Sequence, residues 1–141
     1  MRKFIYVINY TSIKYALWTA ESAVACPQVN NVDAGYDETK GSGCTGAVIR
    51  DSTGGFIAAS HSYIPHVLDA AMAEATALRD GLLLAQLIGC SRVEFQSDCM
   101  EVVTTMQEGF FLATAAGTIY DECYLYWKDF HSISISHCIR V

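Results

Sequence analysis

Apolar and polar residues alternate with period two from Val29 to Tyr36, where Val32, Ala34 and Tyr36 stand against Asn31, Asp33 and Gly35. That pattern predicts a strand with one polar face. A glycine-rich loop, Gly41–Gly46, follows, and then two β-prone runs, Ala47–Ile49 and Phe56–Ala59, around the turn residues Asp51–Gly55, which is the signature of a hairpin. Asp69–Ile88 carries the strongest helical pattern and stops at Gly89. Beyond it lie a short apolar strand, Arg92–Gln96, a helix over Asp98–Glu108 ended by Gly109, a helix over Thr114–Phe130, and a strand over His131–His137 with Ile133 and Ile135 on one face. The string β-β-β-α-β-α-α-β predicts a mixed α/β sheet, an antiparallel meander followed by crossover-linked parallel strands.

The 141 residues are 52% hydrophobic and 17% charged, which suits one folded core and excludes wholesale disorder. No apolar run reaches the roughly 18 residues of a membrane-spanning helix, so no membrane role is expected. The simplest division places one domain at 29–141 and treats 1–28 as a leader, a weakly ordered segment or an edge strand. The net charge is −6, with +2 over residues 1–32 and −8 over 33–141. A non-specific phosphate binder shows a basic stripe, and this chain has none, so any nucleic-acid role must run through a small site or a bound cation.

Six cysteines (Cys26, Cys44, Cys90, Cys99, Cys123 and Cys138) are scattered without zinc spacing. They read as reduced thiols of an intracellular protein, cytoplasmic or nuclear. The rival reading is a secreted disulfide protein: Met1-Arg2-Lys3, Phe4–Ile8 and Ala23-Val24-Ala25 imitate a cleaved signal, although Asn9, Thr11, Ser12 and Lys14 interrupt its apolar stretch and Glu21 lies beside the supposed cut.

Gly41-Ser42-Gly43-Cys44-Thr45-Gly46 matches G-x-G-x-x-G, but it leads into a hairpin strand rather than a helix, so no dinucleotide is expected there. In the helix over Asp69–Ile88, Glu74 shares the apolar arc of Ala71, Ala75, Leu78, Leu82 and Ala85, whereas Arg79 and Asp80 fall outside it, where solvated charges belong. A carboxylate on a core face is costly unless it is paired or metal-bound, while one at the rim of the first turns reaches water; both readings of Glu74 stand. Asp33 lies mid-strand, where Asp is depleted, or else forms an Asx turn. Asp98, with Glu101 three residues on, fits a capping box. Asp98 also follows a strand at the end where open α/β sheets bind ligands. Three carboxylates about 4 Å apart repel by roughly 4 kcal/mol per pair at an effective dielectric of 20. A hard cation makes such a trio sensible, and an all-oxygen set selects Mg²⁺ or Mn²⁺. His61, His66 and His131 lack ligand spacing and read as surface or satisfied core histidines. Tyr120, Cys123, Tyr124 and Trp127 recur at helical spacing, as core packing does.

Val32-Asp33-Ala34, Gly41–Gly46 with Ala47–Asp51, Ala73-Glu74-Ala75-Thr76-Ala77-Leu78, and Gln96-Ser97-Asp98-Cys99 stand in one order and spacing. Together they resemble the plant branch of the type 1 ribonuclease H family, the reverse-transcriptase-like domain of retroelement-derived proteins, over about Val29 to Arg140. The resemblance implies a five-stranded sheet of order 3-2-1-4-5 with helices on both faces. It implies that Asp33, Glu74 and Asp98 bind Mg²⁺ or Mn²⁺ for cutting the RNA strand of an RNA–DNA hybrid. It also implies that His137, in the loop after the last strand, aids product departure, and contacts to 2′-hydroxyls are expected from Gly41–Gly46. The chain departs from the family in stopping at Val141, before a last helix that carries a fourth acidic ligand. The expectation is therefore one ion held tolerably, slow cleavage, and apolar surface exposed near Ile133 and Ile135. The alternative is a catalytically inactive nucleic-acid-binding module of the same fold.

Overall fold

Two strands precede the first one predicted. In the computed structural model, which describes residues 4–10, 13–19, 27–109 and 115–139, β1 (Phe4–Tyr10) and β2 (Ile13–Thr19) form an antiparallel hairpin. β3 (Gln28–Asp37), β4 (Ser42–Arg50) and β5 (Phe56–Ile64) make the expected meander. β6 (Arg92–Ser97) and β7 (Ser132–His137) continue it in parallel from β3. The sheet order is β1-β2-β5-β4-β3-β6-β7. The last five strands of that order carry the expected 3-2-1-4-5 arrangement, but the sheet has seven strands rather than five. The added pair joins at β5, where Ile13–Leu17 runs antiparallel to Ala58–Ser62. A free sheet edge leaves its N–H and C=O groups unpaired, and a β-prone run satisfies them.

Helices α1 (Ala70–Leu87), α2 (Met100–Glu108) and α3 (Ala115–Trp127) all lie on one face of the sheet. Helices on both faces were expected; among the described residues the second face carries none. The alternation along each strand shows the asymmetry. Gln28, Asn30 and Val32 are buried while Val29, Asn31 and Asp33 are half-buried. Phe95, opposite Asn30, has no exposed surface and meets the Trp127 ring with centroids 5.9 Å apart. Ile135, opposite Phe95, is buried too and Ile133 packs against the same core, so the expected apolar exposure there is not found; Ser132, Ser134 and His137 are the exposed residues of β7. Tyr120 and Cys123 join this core and Trp127 packs against it, but Tyr124, expected with them, is exposed.

Helix α1 starts as the sequence predicts. The Asp69 carboxylate accepts from the Met72 N–H at 2.8 Å, and Gly89, with φ +75°, follows the C-terminal cap Ile88. Its middle crosses β3 closely at Gly81, where an added Cβ would stand 2.5 Å from Val32 Cγ1 and 3.1 Å from the Phe95 ring. Asp80, expected in water, is instead 3% exposed. Thr45 Oγ1 donates to its Oδ2 at 2.6 Å, and Arg79 Nε stands 3.8 Å from its Oδ1. Burial raises its pKa, and Thr45, Arg79 and Ser62 oppose that rise.

The glycine-rich segment is mostly strand. Only Asp37–Gly41 turns the chain, closed by a Gly41 N–H donating to Asp37 O at 2.9 Å with Gly41 at φ +62°. Gly43 and Gly46 lie inside β4. A Cβ at Gly43 would come within 2.9 Å of Gly35 O on β3, so close strand packing, not a loop, accounts for that glycine.

Candidate metal centre

β3 and β6 pair from Gln28↔Val93 to Asn31↔Gln96, and their pairing stops there. Asp33 sits two residues past that last pair and Asp98 one residue past the end of β6, so both lie where neighbouring parallel strands part at their C-terminal ends. α1 brings Glu74, its fifth residue, to the same place. One carboxylate oxygen from each of Asp33, Glu74 and Asp98 lies within 4.8 Å of the other two, and all three residues are half-buried. The sequence-predicted trio converges.

Local hydrogen bonds set two of these side chains. The Asp33 Oδ1 accepts from the Ala34 N–H at 2.9 Å. Asp98 was expected to cap α2, but the cap position belongs to Cys99, whose side chain makes no capping bond. The Cys99 N–H is taken by Ser97 Oγ at 3.1 Å. That serine turn, which the sequence reading did not single out, hands the chain from strand to helix and leaves the Asp98 carboxylate on the acidic centre. A serine two residues before the helix cap was its sequence signal.

The electrostatics fit a cation site. Burial, and secondly the charge of Asp98, push the Glu74 pKa up from 4.5 to about 7. Three clustered acceptor-only groups cannot all ionise cheaply, and a hard divalent ion with oxygen preference is the partner this donor set matches.

His137 is the last residue of β7, not part of a following loop, and it pairs with Ser97. Its Nε2 lies 3.2 Å from the Asp98 carbonyl oxygen, so an exposed imidazole borders the acidic centre. His61, His66 and His131 are all exposed. Cys44, Cys90, Cys99, Cys123 and Cys138 are free thiols, while Cys26 lies outside the described residues.

The profile of the reverse transcriptase-like family matches residues 31–141, from β3 through β7 and over all three acidic positions. The chain belongs to that family, whose fold is ribonuclease H-like. Solved structures agree on the fold. The N-terminal ribonuclease H domain of a Mycobacterium tuberculosis protein, solved as a fusion with maltose-binding protein, superposes with a TM-score of 0.75 at 21% identity, over 82% of this chain and 84% of that one. Ribonuclease H1 from the halophilic archaeon Halobacterium salinarum gives 0.74 at 20% identity, over 81% and 86%. A ribonuclease H1 isolated from compost, solved in complex with an RNA/DNA hybrid, gives 0.68 at 21% identity, over 80% and 86%. No curated protein matches this reverse transcriptase-like chain in sequence.

Proposed function

We propose that this reverse transcriptase-like domain is a divalent-metal-dependent endonuclease that cuts the RNA strand of RNA–DNA hybrids. The convergence of Asp33, Glu74 and Asp98 within 4.8 Å carries this reading. The similar compost enzyme solved with an RNA/DNA hybrid supports the substrate class. The order of the four sequence motifs supports a retroelement-derived origin in the plant branch of the family.

Asp33, Glu74 and Asp98 would hold the ion or ions, with Mg²⁺ or Mn²⁺ suited to the all-oxygen set. When bound, such ions activate a water and stabilise the leaving oxygen in an in-line displacement at phosphorus. The residues contribute position. Asp33 is fixed on a rigid strand by its bond to the Ala34 N–H, and Asp98 by the Ser97 turn. Glu74 would hold the ion in its ionised form. His137, at the exposed rim beside the Asp98 carbonyl, can carry a proton between bulk water and the departing product.

The test is a hybrid with a labelled RNA strand, a second with a labelled DNA strand, and a DNA duplex, each incubated with the chain in Mg²⁺ and in Mn²⁺. RNA-strand cleavage alone is expected, with Asp98→Asn reducing the rate roughly a hundredfold or more. Hybrid binding without any cleavage in either ion would instead support the inactive binding module.

A further inference from the structure

Asp33 stands in a row that crosses the sheet. It pairs with Gly46 of β4, Gly46 pairs with His61 of β5, and His61 pairs with Lys14 of β2. Directly opposed residues present their side chains on the same side of a sheet, so the four share one face. The next row, Val32, Ala47, Ser60 and Tyr15, is buried or packed against the helix-side core. The row of Asp33 therefore belongs to the face on which no described helix lies.

That row is open to a ligand. Lys14 and His61 are exposed. A Cβ built at Gly46 would find nothing within 4 Å, so a chain can pass low over the sheet between His61 and Asp33. A shallow depression of about 180 Å³ borders Lys14, Ala16, Ala59 and His61. Strands about 4.8 Å apart put His61 about 10 Å and Lys14 about 14 Å from Asp33, a few nucleotides along a strand.

The charge pattern fits the same ligand. Three clustered carboxylates repel an incoming polyanion, and the chain as a whole carries −6, yet Lys14 comes from the one stretch with positive net charge, +2 over residues 1–32. The added hairpin β1–β2 is what brings this lysine onto the row of Asp33. Resting on the nuclease reading above, we propose that Lys14 and His61 receive backbone phosphates of the nucleic-acid strand that runs over Gly46 to the acidic centre. The hairpin is then a substrate-gripping extension of the five-strand core. Its recognition chemistry is that of evenly spaced phosphates, which the RNA and DNA strands of a hybrid share.

The experiment is hybrid binding by fluorescence anisotropy with the full chain in Ca²⁺, a hard oxygen-seeking ion, across a salt series. Lys14→Glu should weaken binding roughly tenfold, Lys14→Gln should lower the slope of log affinity against log salt by about one, and His61→Gln should weaken binding with the slope unchanged. Lys128→Ala, in the turn after α3, should change neither, and unchanged melting temperatures show that the variants fold. Methylphosphonates placed singly at each of the first four phosphates from the cut, in the RNA strand or in the DNA strand, tell which strand is gripped. The gripped strand is the one whose neutralisation weakens wild-type binding and erases the effect of Lys14→Gln. Wild-type binding with unaltered affinity and salt slope in all three variants would overturn this inference alone. A wild-type chain that binds no hybrid at all would contradict the nuclease reading itself.

Discussion

The side-chain N–H of Asn30 donates to the backbone oxygen of Gly81 at 2.9 Å, joining β3 to α1 through two groups that are both buried and 51 residues apart. The bond lies one residue pair away from the Gly81–Val32 contact, so strand and helix are held at one height and one separation. Asp33 is three residues along the strand and Glu74 two helical turns back along the helix. The distance between two of the three carboxylates is therefore set by a polar bond and a missing Cβ in the core.

Gly81→Ala tests this link. The methyl would force β3 and α1 apart, which costs about 1–3 kcal/mol. A lower urea midpoint is expected, together with weaker Mn²⁺ binding because Glu74 moves away from Asp33. Unchanged stability would mean that helix and strand are not held by this contact.

Glu74 gives the apoprotein a specific pH dependence. Its folded-state pKa of about 7 lies above its ordinary 4.5, so the fold binds this proton more tightly than the unfolded chain does. The contribution to stability is full below about 4.5 and is lost as pH rises through about 7. Allowing for partial solvation, the loss is about 1–3 kcal/mol. Urea titrations at pH 5 and pH 8 should show the wild type losing more stability than Glu74→Gln between the two. Parallel behaviour would place Glu74 in water.

Asp33→Asn removes one charge from the trio. Without metal the variant should be as stable as the wild type or more so, since the repulsion it relieves is worth up to roughly 4 kcal/mol per pair. Added Mn²⁺ should raise the melting temperature of the wild type and leave that of the variant unmoved. A clear loss of apoprotein stability would assign Asp33 a structural role through its bond to Ala34.

Much of this site is legible in the sequence because its parts are local. Asp33 is an aspartate in mid-strand, Glu74 interrupts an apolar helix face, and Asp98 follows a strand at the end where α/β sheets bind ligands, and the first two depart from ordinary residue preferences. Asp80 is misread for the opposite reason. A helical projection divides the surface into core and water, and it does not contain the Thr45 and Ser62 hydroxyls that two strands supply beneath α1. The Asp98…Glu101 spacing satisfies a capping box, yet the Cys99 N–H goes to Ser97 Oγ, Cys99 takes the cap position and α2 starts after it. The seven-strand sheet is beyond local reading altogether, because β2 is placed by backbone pairing with β5, some 45 residues away in sequence.

Thr45 and Asp80 form a second coupled pair. Thr45→Val keeps the shape and removes the closest donor to a buried carboxylate, with an expected cost of about 1–3 kcal/mol. In that background Asp80→Asn should recover part of the loss, because the uncompensated charge is gone. Additive effects in the double-mutant cycle would show that the 2.6 Å bond carries no coupling.

The most direct measurement is a calorimetric titration of Mn²⁺ into the wild-type chain and into Asp98→Asn at pH 8, where Glu74 is mostly ionised. Saturable binding by the wild type, lost or weakened at least about tenfold in the variant, is expected if Asp33, Glu74 and Asp98 together hold a divalent ion. Equal affinity in the two proteins, or no binding by either, would contradict the assignment of a metal centre.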